Sequence, residues 1–416
     1  MCSKKLVLNK SKVDSDLIKV YEPLLKKFIE EIKDIEKENL PEPFIPVYGK
    51  NYESTPFKIA FVGWETRKNS SLKKFYDVAE KNPLEVLNRF YEVIDLEEEE
   101  NLTNYASKFG NGFWNFVFKF LAKLYNEDWK EIKRKSHPEI LKSFVWGNLD
   151  SIERYEVSAK GAGGNYQEWG KVKRASKIFD KAEVFIEALK PKVIIVLQWA
   201  KDDSWIAGIK NMEHEIIVVD YLEYYHLKDS DTHIYLTRHP RGLSNNQIEE
   251  YILRIFISIN DKNIFPDYPG KNFFDSIEIL NFQLKELGEE FGLLFEHLPY
   301  WGTNSGFYFT STRWKDYLIG FEFEGNWGSS FFGGIHKIDN NNPLISDELI
   351  AQKLEMYEKP ASSWPYWFWF EENYRNWDKK IIGELQNGNF LAAIKKQVER
   401  MLPALNEQEK EATLPD

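Results

Sequence analysis

Three side chains in the sequence could act together on one substrate, and each lies at the end of a predicted strand. They are the carboxylate of Glu65, the amide of Asn148 and the imidazole of His239. In open α/β sheets, the loops at the carboxyl ends of the strands line the ligand crevice. We therefore expect these three groups to surround a single crevice.

The chemistry that suits this set is hydrolysis of an N-glycosidic bond. As that bond breaks, the sugar gains oxocarbenium character, which the Glu65 carboxylate can stabilise while it orients a water molecule. The departing pyrimidine gains negative charge on a carbonyl oxygen attached to its ring. A hydrogen bond from His239 to that oxygen strengthens in the transition state and lowers the barrier. The Asn148 amide both donates and accepts, so it can recognise the Watson–Crick edge of an extruded base.

The elements that must position these groups alternate between strands and helices. A short apolar run without alternation is typical of a strand covered on both faces, and Lys192–Gln198 is the clearest example. The other predicted strands cover residues 58–63, 143–149, 215–221 and 233–237, with amphipathic helices between them. The pattern predicts an α/β fold, a three-layer sandwich with a mostly parallel central sheet.

A stretch rich in proline, glycine and charge, Asp261–Lys271, is the predicted boundary between two domains. The first domain covers residues 1–262 and begins with a helix over Leu17–Leu40. A smaller, aromatic-rich α+β domain is predicted over 272–403, followed by a flexible tail over 404–416. The aromatic run Trp364–Phe370 is predicted to pack in the core of the second domain, with a stacking surface for DNA as the alternative.

Two segments of the first domain resemble motifs of the uracil-DNA glycosylase superfamily. The run Phe61–Thr66, FVGWET, is similar to that family's first motif, and His239–Ser244, HPRGLS, is similar to its last. In the last motif the His, Pro, Leu and Ser match, whereas the Arg-Gly pair departs. Asn148 stands where the family keeps a base-recognising asparagine. The resemblance covers roughly residues 55–260, and the order and strand context of the motifs make it moderately specific.

The resemblance implies a monofunctional DNA glycosylase that flips a base out of the duplex and leaves an abasic site. It assigns catalysis to Glu65 and His239. It further implies base-binding residues at Gly63, Trp64 and Asn148, and DNA-binding residues at Arg241, Leu243 and Ser244. Among these, the leucine would fill the position that the flipped nucleotide vacates. Neither a metal nor a cofactor is implied.

Departures from the family pattern indicate a substrate other than plain uracil. Glutamate at position 65 is longer than the family's acid, which moves the carboxylate by about one methylene. Trp64 and Thr66 replace the glutamine and proline of the strictest uracil enzymes, and no matching tyrosine follows to exclude substituents at the pyrimidine 5 position. We therefore expect the partner to be DNA that contains a modified pyrimidine. Some glycosylases of bacterial antiviral defence, which attack hypermodified phage cytosines, look like a suitable model.

Composition sets wider limits on the function. The 416-residue chain has a net charge of -11, which argues against a scaffold that coats DNA through many basic contacts. Its lone cysteine, Cys2, excludes an internal disulfide and a four-thiolate zinc site. No stretch approaches the roughly 20 apolar residues of a membrane-spanning helix. We expect a soluble, cytoplasmic, monomeric protein without a membrane partner.

Two other functions stay open on the sequence alone. A glycosylase-like module without catalytic activity would bind modified DNA or a nucleotide, and a hydrolase would act on free nucleosides or nucleotides. His226 and His233 belong to no pattern of metal ligands, so we expect them to be satisfied polar residues and expect no metal site.

Overall fold

The protein divides into two compact units. The computed structural model describes residues 12–38, 40–64, 71–92, 112–133, 137–152, 166–199, 203–297, 305–314, 316–325, 329–338, 350, 352–354, 363–371, 374 and 379–412. The first unit contains residues 1–123 and 127–244, and the second contains 124–126 and 245–416. The helix Asn245–Asp261, which the sequence analysis placed in the first domain, groups with the second unit.

The first unit is built on a seven-stranded sheet. Its strands are β1 Val47–Tyr48, β2 Ile59–Gly63, β3 Phe144–Asn148, β4 Val193–Gln198, β5 Met212–Val218, β6 Leu222–Leu227 and β7 Thr232–Arg238. Their order is β1-β3-β2-β4-β7-β6-β5. The four central strands β3, β2, β4 and β7 run parallel, whereas β1, β6 and β5 pair antiparallel. The fold is therefore broadly α/β, as predicted, with its parallel strands at the centre.

Helices cover both faces of the central strands. The helices in this part of the chain are α1 Lys12–Glu31, α2 Leu72–Ala79, α3 Pro83–Glu92, α4 Gly112–Tyr125, α5 Trp129–Lys133, α6 Pro138–Leu141, α7 Tyr166–Ser176 and α8 Ala182–Leu189. On one face, α1, α2, α3, α7 and α8 share an apolar cluster with Val62 and Val196. On the other face, Phe120 of α4 meets Phe61 of β2 edge-on, with 5.6 Å between ring centroids. Burial on both faces explains why the central strands are continuous apolar runs.

The β5–β6 hairpin corrects one predicted strand. The sequence predicts a single strand over 215–221, but the chain turns inside that range. Asp220 adopts a positive φ of 63°, and the Tyr221 N–H donates to the Val218 carbonyl at 3.1 Å. Asp220 interrupts the apolar run at this point, and aspartate tolerates the left-handed backbone that the turn requires, so this residue marks the turn that the predicted strand overlooked.

The N-terminal helix is shorter than predicted. α1 ends at Glu31, whereas the apolar spacing predicts a helix as far as Leu40. Beyond Glu31 the chain continues in turns, yet Ile32, Ile35 and Leu40 are still buried. The apolar stripe therefore follows the core and not the helix, which is why its length overestimates the helix.

The second unit contains a separate antiparallel sheet of five strands. They are β8 Leu294–His297, β9 Ser305–Thr310, β10 Tyr317–Gly325, β11 Ser329–Lys337 and β12 Tyr366–Trp369, in the order β12-β11-β10-β9-β8. Its helices are α9 Asn245–Asp261, α10 Lys271–Phe291, α11 Lys379–Gln386 and α12 Asn389–Ala412. Phe307, Phe321 and Phe331 pack together in its core, with ring centroids 5.4 to 6.3 Å apart. The second unit therefore combines helices with an antiparallel sheet that is separate from the sheet of the first unit.

The aromatic run of the second unit is largely structural. Trp364, Tyr366 and Phe370 are buried, which confirms core packing for these three residues. At the end of the chain, α12 continues through Pro403 to Ala412, where the sequence predicts a flexible tail from residue 404. Ala404 and Leu405, just after this proline, are buried. Across the part of the chain that the structure describes, every helix is too short or too polar to cross a lipid bilayer.

Candidate functional site

Those predicted site residues of the first unit that the structure describes lie along one edge of its sheet, where the parallel strands end. Gly63 and Asn148 are partners in the β2–β3 register. On the other side of β2, β4 and β7 end together, and the His239 N–H donates to the Gln198 carbonyl at 2.7 Å. The structure thus places Gly63, Asn148 and His239 at the carboxyl ends of the parallel strands β2, β3 and β7, with β4 between β2 and β7. This edge is where open α/β sheets bind ligands.

Four residues at this edge also share one face of the sheet. Successive side chains of a strand point to opposite faces. Val62, Val145, Val196 and Leu236 all belong to the apolar cluster under α1. By alternation, the other face receives Gly63, Asn148, Trp199 and His239. This is the face on which α4 packs.

The imidazole of His239 is held by a stacking contact and a hydrogen bond. Its ring lies against Trp199, with centroids 4.2 Å apart and planes 13° apart. The Arg241 N–H donates to His239 Nδ1 at 3.1 Å. Because Nδ1 accepts this hydrogen bond, the neutral ring carries its proton on Nε2. His239 is therefore oriented as a hydrogen-bond donor through Nε2.

A tight turn after His239 sets the position of that donor. The Leu243 N–H donates to the Pro240 carbonyl at 3.1 Å, and Gly242 has a φ of 91°. A positive φ at the third position is characteristic of a type II turn and favours glycine. This geometry accounts for the glycine in HPRGLS, one of the departures from the family motif.

The start of α4 packs directly against this turn. A Cβ atom on Gly112 would lie 2.7 Å from the Arg241 nitrogen and 2.9 Å from the Pro240 carbonyl carbon. Such distances are far below van der Waals contact, so only glycine allows this approach. The position of the turn, and with it the hydrogen bond to His239, therefore depends on having glycine, which has no side chain, at residue 112.

A second group of contacts joins Asn148 to an aromatic ring. A Cβ atom on Gly63 would lie 3.2 Å from Cε2 of Phe113 and 3.3 Å from Oδ1 of Asn148. The phenyl ring and the amide oxygen therefore both border the space that a side chain at position 63 would fill. A planar heterocycle can stack on such a ring while it hydrogen-bonds to such an amide.

Two arginines flank the site. The Arg238 guanidinium lies over the ring of Tyr221, with 4.9 Å between Cζ and the centroid, and the Arg241 guanidinium lies 5.9 Å from the centroid of Trp199. Both arginines are exposed, as is Ser244, while Leu243 is half-buried. Exposed guanidinium groups next to exposed aromatic rings can contact both the phosphates and the bases of a nucleic acid.

The predicted catalytic carboxylate, Glu65, lies outside the described residues. On this side of the site they end at Trp64, which is half-buried at the end of β2. The Trp64 carbonyl accepts a hydrogen bond from the Asp150 N–H at 3.0 Å, which fixes the backbone one residue before the glutamate. The role of Glu65 stays a prediction.

Sequence reasoning missed Trp199 and Phe113. Trp199 directly follows β4, so the rule that found the other strand ends would also have found it, and its 48% exposure is unusual for tryptophan. Phe113 carries no such signal. It lies in the first turn of α4, and its apolar character is equally typical of a core residue.

The loop after Asn148 is anchored by a buried carboxylate. Asp180 accepts a hydrogen bond from the Ser151 N–H at 2.8 Å, and its other oxygen lies 3.5 Å from Lys177 Nζ. Burial raises the pKa of Asp180 from its ordinary value of 3.8 to about 6, although Lys177 and the Ser151 hydrogen bond oppose the shift. The folded protein therefore holds this proton more tightly than the unfolded chain does.

We expect the Asp180→Asn variant to lose a pH dependence that the wild type shows. Because folding raises the pKa, the stabilisation from Asp180 is fully present below pH 3.8 and is lost as the pH rises through about 6. Across that window the free energy of unfolding of the wild type should fall by about 3 kcal/mol relative to the variant. Urea unfolding at a series of pH values measures this difference. The exposed Asp267→Asn change is the control, and parallel pH profiles for the wild type and Asp180→Asn would contradict the expectation.

The fold and the edge residues define an α/β protein with a candidate ligand site at the end of its parallel strands. No protein-family model and no curated protein matches the chain. The resemblance to uracil-DNA glycosylases therefore depends on the short motifs alone.

Proposed function

We infer that the protein is a monofunctional DNA glycosylase that excises a modified pyrimidine and leaves an abasic site. The observation that carries this proposal is the donor geometry of His239, on the same face and edge of the sheet as Asn148. We also propose that the first unit is a three-layer sandwich of the uracil-DNA glycosylase type. Helices on both faces of the parallel strands support this part of the proposal.

The proposed base pocket uses Phe113 and Asn148. An extruded pyrimidine would stack on the phenyl ring and exchange hydrogen bonds with the amide, because these two groups lie within reach of one planar ring. Gly63 contributes by having no side chain, since a larger residue would fill the space between them. Trp64 borders the pocket at the end of β2.

His239 would act on the departing base. When the glycosidic bond breaks, its electron pair moves onto the pyrimidine, and negative charge develops on the carbonyl oxygen of the ring carbon next to the broken bond. The Nε2–H of His239 can donate to that oxygen without a prior change of tautomer, because Nδ1 already accepts from Arg241. A donor that is oriented in advance stabilises the transition state more than the ground state.

Glu65 would act on the sugar and on the water. A water oxygen forms the new bond to the anomeric carbon, the bond to the base nitrogen breaks, and the carboxylate takes the proton that the water loses. The base leaves with the electron pair and is then protonated by solvent. This hydrolysis needs no metal, oxidant or reductant.

The turn after His239 is the proposed contact with DNA. Arg241 and Ser244 are exposed and suit hydrogen bonds to phosphates, and the half-buried Leu243 would enter the duplex where the nucleotide leaves it. The net charge of -11 makes a local contact of this kind more plausible than extended binding along the backbone.

A substrate panel tests the proposal. The full chain is incubated with duplex and single-stranded oligonucleotides that contain uracil, hydroxymethylcytosine or glucosylated hydroxymethylcytosine, and alkali-labile abasic sites are measured. We expect release of a 5-substituted base, with strand breakage only after alkali. Excision should be lost in Glu65→Gln, whose side chain keeps its size but cannot accept the proton.

The other outcomes separate the alternatives. Tight binding of one oligonucleotide without base release would favour a non-catalytic module. Activity confined to free nucleosides or nucleotides would favour a small-molecule hydrolase. Excision of unsubstituted uracil alone would contradict the proposed pocket while leaving the reaction type intact.

A further inference from the structure

A cluster of metal-ligating side chains lies at the far end of β7 from the candidate site. His226 of β6 and His233 of β7 are directly opposite each other in the strand register. Their rings are parallel within 5°, with centroids 4.5 Å apart. Six residues of extended chain separate His233 from His239, roughly 20 Å, so the cluster is separate from the proposed base pocket.

Asp231, in the turn between β6 and β7, points its carboxylate at both imidazoles. Its Oδ1 atom lies 3.3 Å from Nε2 of His226 and 3.7 Å from Nε2 of His233. One potential ligand atom from each residue falls within 4.8 Å of the other two. With metal–ligand bonds of about 2.0–2.1 Å, neighbouring ligands of a tetrahedral site are about 3.3 Å apart. The two distances from the carboxylate are therefore close to those of a coordinated ion.

The opposite nitrogen of each ring also has a partner. His233 Nδ1 and the Tyr224 hydroxyl lie 2.7 Å apart, and His226 Nδ1 lies 3.6 Å from the Glu213 carboxylate. Lys228 in turn contacts Glu213 at 2.7 Å and keeps the pKa of that carboxyl below its usual range. Metal-ligating histidines commonly donate their second N–H to a carboxylate or another oxygen, which directs the Nε2 lone pair toward the ion.

A network of hydrogen bonds alone does not account well for this arrangement. The Asp231 side chain is 73% exposed and could be hydrated, and an exposed ion pair contributes little to stability. A single cation shared by both Nε2 atoms and the carboxylate would hold all three groups at once, in place of the 3.3 Å hydrogen bond between His226 and Asp231.

We propose that His226, His233 and Asp231 bind a divalent transition metal ion of the Zn²⁺ type. Two imidazoles and one carboxylate are ligands that Zn²⁺ accepts, and three protein ligands leave a fourth position for water. The rings must tilt toward each other when the ion binds, which His226, the more exposed of the two, has room to do. The ion would join β6, the turn and β7. This inference departs from the expectation of no metal and does not depend on the proposed function.

Zinc titration of the full-length, tag-free protein, first stripped with a chelator, tests the site. We expect one Zn²⁺ per chain at micromolar concentration by isothermal titration calorimetry, and a rise in Tm when Zn²⁺ is added. Asp231→Asn and His226→Gln should each weaken binding at least about tenfold and abolish the Tm rise. Asp231 is exposed, so its variant should fold normally without the ion, as its Tm in chelator will show.

His214→Gln is the matched control. His214 lies in the neighbouring strand β5 and contacts a carboxylate, Glu223, at 3.1 Å, but it is outside the cluster. Its variant should bind Zn²⁺ as the wild type does. The proposal is overturned if the wild type binds no stoichiometric Zn²⁺, if Asp231→Asn and His226→Gln both bind it normally, or if His214→Gln weakens binding as much as they do.

Discussion

The His239→Ala variant should excise the modified base about 10²–10³ times more slowly than the wild type, which is the usual effect of removing one oriented donor from a site of developing negative charge. The loss should appear in single-turnover rates, because the Nε2–H bond strengthens as charge moves onto the base. DNA binding, measured by fluorescence anisotropy, should change little. Slower single-turnover excision with little change in DNA binding indicates that His239 interacts with the base mainly in the transition state.

Substitution by glutamine separates two roles of the imidazole. A glutamine amide can donate a hydrogen bond near the position of Nε2 but cannot transfer a proton at neutral pH. We expect His239→Gln to recover part of the activity lost in His239→Ala, whereas a general acid would not be restored. Trp199→Ala, which removes the stacking contact but keeps the imidazole, should have a smaller effect. Full activity of His239→Ala would exclude the proposed mechanism.

The Gly112→Ala variant should also lose excision, by about tenfold to a hundredfold, although residue 112 carries no reacting group. Its methyl group would overlap the Pro240 and Arg241 backbone, as the 2.7 Å approach shows. The turn must then move, and the Arg241 N–H that donates to His239 Nδ1 must move with it. A displacement of about 1 Å at a catalytic group is enough for a loss of this size. Single-turnover rates and the free energy of unfolding, measured together, separate misplacement from unfolding.

Gly383→Ala is the control for this change. Gly383 lies in α11 of the second unit, and a Cβ atom there would have no neighbour within 4 Å. Alanine favours the helix, so this variant should be more stable by up to about 1 kcal/mol and should excise normally. If Gly112→Ala were as active as Gly383→Ala, the turn would not control the position of His239.

Much of the first unit could be predicted from local patterns. The unbroken apolar runs of β2, β3 and β4 identify strands buried on both faces, and the polar residues after them mark the edge where the site lies. Both signals are local, because burial and strand ends leave a trace within a few residues. The turn of the β5–β6 hairpin is marked by a single residue, Asp220, between two short apolar stretches, so the pattern predicted one strand where the chain turns.

The amino-acid sequence by itself determined the α/β class, the central strands and the identity of Asn148 and His239 as candidate site residues. Only the tertiary structure decided that Trp199 stacks on His239, that Phe113 lies beside Asn148, and that His226, Asp231 and His233 form one cluster. The physical reason is that a side chain's type is a local property. Its neighbours depend on strand order, register and turn geometry, which bring together residues that are distant along the chain.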